Sequence, residues 1–234
     1  LSVRDVCTEN LEDINFEVKK GEIFGFCGLS DSGIHELGQV LYGLSGKTRG
    51  VVELNGVNLT RPEQALENRV AYVPKDRDGE ALMMKASIMH NFCLASVEEL
   101  RGRFGYLSRR ALQDLAQQAS DRFSVKSTGI SQLMSGLSGG NKQKVNLGRW
   151  LIKDIQLLIV DCPTRGVDVG VKAYIYECLR QSKASGIAIV LITDELSEAI
   201  GMADRLAVMK NGRIQKIIER GDQMNEEAII EVMA

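Results

Sequence analysis

The stretch Gly136-Leu137-Ser138-Gly139-Gly140-Asn141-Lys142-Gln143-Lys144-Val145 decides the fold, together with what lies about twenty residues beyond it. There Leu157-Leu158-Ile159-Val160-Asp161-Cys162 is followed by Pro163-Thr164-Arg165-Gly166-Val167-Asp168. Ser138, Gly139 and Gly140 lead into an amphipathic helix with Val145, Leu147, Trp150 and Leu151 on one side. Backbone N–H groups at a helix N-terminus, with no Cβ in the way, make a phosphate-binding surface. The apolar run 157–160 reads as a buried strand, and Asp161 at its C-terminal edge is placed to hold Mg²⁺ directly or through water. A small-residue cap before a core strand and a turn accounts for Leu-Ser-Gly-Gly alone. The spacing onto a strand that ends in Asp, and then onto Pro-Thr-Arg-Gly-Val-Asp, argues against that blander reading.

A second glycine-rich turn lies upstream. Gly28-Leu29-Ser30-Asp31-Ser32-Gly33-Ile34-His35 follows a strand predicted over 22–27 and opens a helix predicted over 34–43, with Leu37 and Leu41 inward. Against the phosphate-loop pattern G-x-x-x-x-G-K-[ST], the outer glycines fit as Gly28 and Gly33. Ile34 stands at the lysine position and His35 at the hydroxyl position. The cation that reaches the β- and γ-phosphates and the hydroxyl that ligates Mg²⁺ are therefore both replaced. A strand-to-helix turn with no ligand accounts for the same residues equally well.

At 234 residues the chain fits one large domain, or one domain with a subdomain. A net charge of −2 gives no whole-chain argument for nucleic-acid binding. The basic run 101–110, with Phe104 and Tyr106 interleaved, reads as a solvated linker at that charge. The longest apolar runs, such as 187–192, are too short to cross a bilayer, so membrane association would come through a partner. The five cysteines are scattered and odd in number, as for reduced thiols. The chain opens on Leu1 rather than Met, which points to a piece of a longer protein.

Alternation of Ile14, Phe16 and Val18, then Asn55-Gly56 after an apolar run, predicts an antiparallel flank. Val70-Ala71-Tyr72-Val73 predicts a strand ending at Pro74-Lys75. From 85 to 134 the pattern is helical: Ile88, Phe92 and Leu94 mark one helix, and Ser108 caps a second carrying Leu112, Leu115, Ala116, Ala119 and Phe123. A helix over 169–185, a strand over 187–192, a hairpin around Asn211-Gly212 and a helix over 225–233 complete the chain.

The segment from Leu137 to Asp168 resembles the signature motif, Walker B strand and D-loop of an ABC-type ATPase. Asn141 in place of the usual Gln, and Pro-Thr-Arg-Gly-Val-Asp-Val-Gly after Walker B, resemble the ATP-binding subunits of bacterial monosaccharide importers of the ribose, galactose and xylose type. Those subunits carry two nucleotide-binding halves in one polypeptide, and this chain is most similar to the second. The resemblance implies an α/β fold: a P-loop NTPase-like nucleotide-binding domain with a mostly parallel core sheet and an antiparallel β flank. It implies a core lobe over 1–84 and 135–234 and a helical subdomain over 85–134 that delivers the signature.

It also implies which residues meet nucleotide. Gly28, Ser30, Asp31, Ser32, Gly33, Ile34 and His35 form a degenerate P-loop, with Lys75 at the Q-loop position. Leu137, Ser138, Gly139, Gly140 and Asn141 form the signature, Gly166, Val167 and Asp168 the D-loop, and Asp161 the metal position. Cys162 stands where the catalytic glutamate belongs and Asp194 where active relatives have a histidine. No aromatic precedes Phe16 to stack on adenine. Departures gather on the chain's own P-loop face, whereas the donated face is intact.

The implied cofactors are ATP and Mg²⁺, weakly held or absent at this P-loop. The implied partners are the other nucleotide-binding half of the same polypeptide, transmembrane permease subunits and, indirectly, a sugar-binding protein, with no nucleic acid. The implied location is cytoplasmic, peripheral at the inner face of the cell membrane through the permease. Two rivals share most motifs: a nucleoside importer's ATPase half, and an active ATPase with unorthodox residues such as Glu195 as base. An ABC protein of DNA repair or translation is disfavoured by the acidic balance.

Overall fold

Apolar residues on both faces of β3 (Ile23–Gly28) bury it completely and place it inside a sheet. In the computed structural model, which describes residues 1–29, 31–102 and 105–233, its companions are β6 (Val70–Val73), β7 (Leu157–Asp161), β8 (Ala188–Ile192), β9 (Arg205–Lys210) and β10 (Arg213–Glu219). They form a six-stranded sheet in the order β10–β9–β3–β8–β7–β6. Five strands run parallel, and only β10 returns antiparallel to β9, through Asn211-Gly212. The uninterrupted runs Leu-Leu-Ile-Val and Ala-Ile-Val-Leu-Ile are what a sheet covered on both faces requires.

A second, antiparallel sheet has the order β2–β1–β4–β5, from β1 (Ser2–Cys7), β2 (Ile14–Glu17), β4 (Arg49–Leu54) and β5 (Val57–Asn58). Its Phe16 is buried against Phe24 and Phe26, with ring centroids 5.5 and 4.8 Å away. That ring belongs to the core and is not free to stack on a ligand. Strand β1 has no two-residue period, because its register shifts between Val3 and Val6, and Asp5 takes a left-handed φ of 50°.

Packing divides the chain into two units. The first comprises Leu1–Lys75, Ile155–Pro163 and Tyr176–Ala234. It holds both sheets, α1 (Ile34–Tyr42), α2 (Pro62–Glu67), α8 (Leu196–Met202) and α9 (Glu226–Met233). Within it Glu22 and Arg205, at the feet of β3 and β9, pair through two contacts of 2.5 and 3.1 Å. The guanidinium also lies 4.5 Å from the Phe24 ring centroid. Hydrogen bonding to Glu22 raises the Arg205 pKa above its ordinary value.

The second unit comprises Asp76–Asp154 and Thr164–Ile175. It holds α3 (Ile88–Cys93), α4 (Val97–Leu100), α5 (Arg109–Arg122) and α6 (Gly139–Leu151), while α7 (Val169–Ala184) has residues in both units. Ser87 and Ser108 cap α3 and α5 through their hydroxyls. Leu94 departs from the expected inward set. Helix α3 ends at Cys93, the chain tightens into a 3₁₀ turn, and Leu94 is left exposed while Ile88 and Phe92 are buried. All five cysteines are free thiols. Among the described residues, no helix is long and apolar enough to cross a membrane.

Candidate functional site

Strand β3 ends at Gly28, where nothing larger than glycine fits: a Cβ there would lie 2.3 Å from Ser32 Oγ and 2.6 Å from the Met209 carbonyl oxygen. Gly33 adopts φ +86°, and its turn delivers the chain into α1. Ser30 lies outside the described residues. Ile34 is fully buried in the core of the first unit, so the position that would send a cation toward phosphate sends an aliphatic chain inward. Asp31 is exposed and Ser32 buried; among the described residues the Ser32 Oγ has no hydrogen-bond partner. The Ser32 amide donates to the Leu29 carbonyl at 2.9 Å, closing the turn on itself.

His35, one residue into α1, reaches the end of β7. Its Nδ1 is 2.8 Å from Asp161 Oδ1, and its Nε2 is 2.7 Å from Lys75 Nζ, at the end of β6. An ammonium only donates, so Nε2 accepts from Lys75 and Nδ1 carries the proton that goes to the buried Asp161. Lys75 also lies 3.4 Å from Asp194 Oδ2, just beyond β8, and the Cys162 thiol donates to Asp194 Oδ1 at 3.5 Å. Asp161, His35, Lys75, Asp194 and Cys162 thus form one continuous chain of polar contacts across the C-terminal edge of the parallel sheet, all within the first unit.

Cys162 adopts a left-handed φ of 47°. In an extended strand, consecutive side chains point to opposite faces. This turn instead brings Asp161 and Cys162 to the same side: His35, Asp161 and Cys162 present ligand atoms all within 4.8 Å of one another. Burial pushes the Cys162 thiol far above its usual range, and the Asp161 carboxylate adds to the shift. Burial alone would raise the Asp194 carboxyl, but the Lys75 ammonium and the Cys162 S–H outweigh it and hold Asp194 below the ordinary carboxylate value.

The second unit is built differently. Ser138 is the N-cap of α6, and its exposed Oγ accepts from Asn141, from the backbone N–H at 3.5 Å and from Nδ2 at 3.0 Å. Both lone pairs are engaged, so the hydroxyl proton is left to donate outward. Asn141 is anchored in turn by its Oδ1, which accepts the Lys126 N–H at 2.9 Å. Gly139 approaches the Gly166 carbonyl so closely that a Cβ would lie 3.2 Å from it, and Gly140 packs where a Cβ would meet Val171 at 2.6 Å. Asp168 Oδ1 accepts the Val171 N–H at 2.9 Å and holds the start of α7. Leu137 is buried and Val167 half-buried. Sequence reasoning named the residues of the first constellation and the signature and D-loop residues of the second, but not Lys126 and Val171, which hold Asn141, Gly140 and Asp168 in place. It did not find the contacts that join His35 to Asp161 and Lys75, since 126 and 40 positions separate them.

The family description "ABC transporter" matches residues 11–165. The chain is 38% identical over 224 residues to a ribose import ATP-binding protein, RbsA 2, of Mesorhizobium japonicum, covering 95% of this chain and 44% of that protein. It is 36% identical over 217 residues to a putative ribose/galactose/methyl galactoside import ATP-binding protein of Agrobacterium fabrum, covering 92% and 43%. The chain thus spans less than half the length of these relatives. Among solved structures it resembles an ATP-binding subunit of an ABC transporter, with TM-score 0.80 and 23% identity over 100% of this chain and 99% of that one. A dimeric ATP-binding cassette, MJ0796, solved in a post-hydrolysis state bound to ADP and Pi, gives TM-score 0.81 at 19% identity, covering 94% and 98%. With its parallel sheet, antiparallel flank and helical segments, the chain belongs to the ABC transporter family and has the fold of its ATP-binding cassettes.

Proposed function

We propose that this chain is a nucleotide-binding domain of a sugar importer. It lends Leu137 to Asn141, presented by the helical segment 85–134, to a composite ATP site completed by another nucleotide-binding half of the same polypeptide. Its own glycine-rich turn does not hydrolyse ATP. The names of the relatives, for ribose and galactose import, favour sugar over nucleoside. Permease subunits and a sugar-binding protein are the partners of such a domain, which works at the cytoplasmic face of the membrane.

The observation that carries this reading is the contact chain from Asp161 through His35 to Lys75. Mg²⁺ requires a near-octahedral shell of oxygens. The donors gathered here are one carboxylate, one imidazole and one thiol, with an ammonium already among them. Ile34 cannot anchor a phosphate, the Ser32 amide is spent on Leu29, and the exposed Asp31 repels anions. These residues do not fit Mg²⁺–nucleotide, and no hydrolytic step runs through them. Cys162, a thiol driven strongly toward its neutral form, is no base for water. On the donating side, Ser138 and the first amides of a 13-residue helix are available to an anion.

The purified chain is therefore expected to release phosphate from Mg-ATP at the background rate. Cys162→Glu alone should leave it there, because groups that act as a unit are non-additive. Turnover by the unaltered chain, or rescue by Cys162→Glu, would sink the reading.

A further inference from the structure

We infer that His35 Nδ1, Asp161 Oδ1 and Cys162 Sγ form a site for one divalent cation of the zinc and cobalt class, with Lys75 as its tethered competitor. The inference is independent of which half donates the signature, since it needs only these side chains.

Three kinds of observation support it. The three donor atoms already lie within 4.8 Å of one another, and Asp161 and Cys162 are nearly inaccessible at 2% and 5%. Tetrahedral zinc, with bonds of about 2.0–2.3 Å, sets its donors about 3.3–3.7 Å apart, so His35 Nδ1 and Asp161 Oδ1, now 2.8 Å apart, part slightly while the thiol moves in. The donor set of one nitrogen, one oxygen and one sulfur suits a borderline-soft ion and is wrong for Mg²⁺ or Ca²⁺. Finally, the left-handed turn at Cys162 is what brings two consecutive side chains to one point.

Charge decides how the site exchanges its occupants. Without metal, Asp161 and Asp194 face a single ammonium, Lys75, so the cluster carries one excess negative charge in a largely buried place. Metal binding takes the lone pair of Nδ1, and the imidazole proton moves to Nε2. The Nε2–H can no longer accept from Lys75, which keeps its second partner, Asp194, at 3.4 Å. The thiol proton, which already points at Asp194 Oδ1, leaves to solvent. The dication is then balanced by thiolate and Asp161, and Lys75 by Asp194, leaving no net charge. The high cost of the bare thiolate is met by the metal itself. Lys75 and the metal exclude each other because both bear on one imidazole.

The test is titration of the metal-free purified chain with Co²⁺, read by visible d–d bands and a thiolate-to-cobalt charge-transfer band in the near ultraviolet. One equivalent should bind with tetrahedral bands, Zn²⁺ should displace it, and millimolar Mg²⁺ should not. Cys162→Ser should abolish the charge-transfer band and weaken binding at least about tenfold, whereas Lys75→Met should strengthen it by about tenfold. Cys7→Ser, altering the most accessible other thiol, should change nothing. Zinc-edge X-ray absorption of the unaltered protein should show one sulfur with nitrogen or oxygen neighbours, which decides the matter even if a variant fails to fold. No Co²⁺ binding, binding without sulfur, displacement by Mg²⁺, or a Lys75→Met protein that binds no better would overturn the inference.

Discussion

Replacing Ser138 with Arg is expected to lower ATP turnover by the assembled transporter at least about 100-fold and to abolish uptake, whereas Cys162→Ala leaves both nearly unchanged. In the proposed arrangement, the partner's γ-phosphate approaches the Ser138 hydroxyl and the first amides of α6. Asn141 holds both lone pairs of that hydroxyl, so its proton is directed at the incoming anion. An arginine fills that space and removes the donor. Losing the N-cap costs about 1 kcal/mol, too little to unfold a domain of ordinary stability. Circular dichroism of the variant should therefore match that of the unaltered protein. Cys162→Ala removes a neutral thiol from a site that takes no part in hydrolysis. If Cys162→Ala stops turnover and Ser138→Arg spares it, the two faces have been assigned the wrong way round.

The largest expected effect on stability is at Gly212. Its Cβ would lie 1.9 Å from the Asn10 carbonyl oxygen, and its φ of +73° is one that side chains rarely adopt. Its own backbone is fully used: the carbonyl accepts the Glu12 N–H at 2.9 Å and the amide donates to the Ser32 carbonyl at 3.1 Å. The β9–β10 turn thereby holds both the loop before β2 and the glycine-rich turn. Gly212→Val can be relieved only by moving that backbone, and should destabilise the chain by more than about 3 kcal/mol. Gly56 has a comparable φ of +87° but, among the described residues, nothing within 4 Å of its Cβ position, so Gly56→Val should cost only about 1 kcal/mol. Urea unfolding measures both. Equal losses at the two positions would show that backbone strain, not the approach of Asn10, sets the cost.

How much of this was legible in the sequence follows from the physics of each element. Strands β7 and β8 were plain because a parallel strand covered on both faces is one apolar run. The Asn211-Gly212 hairpin and the caps at Ser87, Ser108 and Ser138 depend on neighbouring residues, and Ser108 and Ser138 could be read directly. Strand β1 was hidden because its bulge puts Val3 and Val6, three positions apart, on the same face. Helix α2 carries its signal, Pro62 at the start, but is too short to show a periodicity. In the site, residue types at motif positions could be read one by one. That His35 bonds Asp161 while Lys75 caps the same ring is a fact of two strand ends meeting one helix. No local pattern encodes it.

The central claim, that this chain contributes a signature and not a hydrolytic P-loop, is tested most directly by vanadate photocleavage of the assembled transporter. Orthovanadate with Mg-ATP takes the place of the γ-phosphate at a hydrolysing site, and ultraviolet light then cuts the backbone beside the vanadium. Peptide mapping should find the cut in this chain within 138–140 and none within 28–35. A cut within 28–35 would place hydrolysis at this chain's own glycine-rich turn and contradict the account.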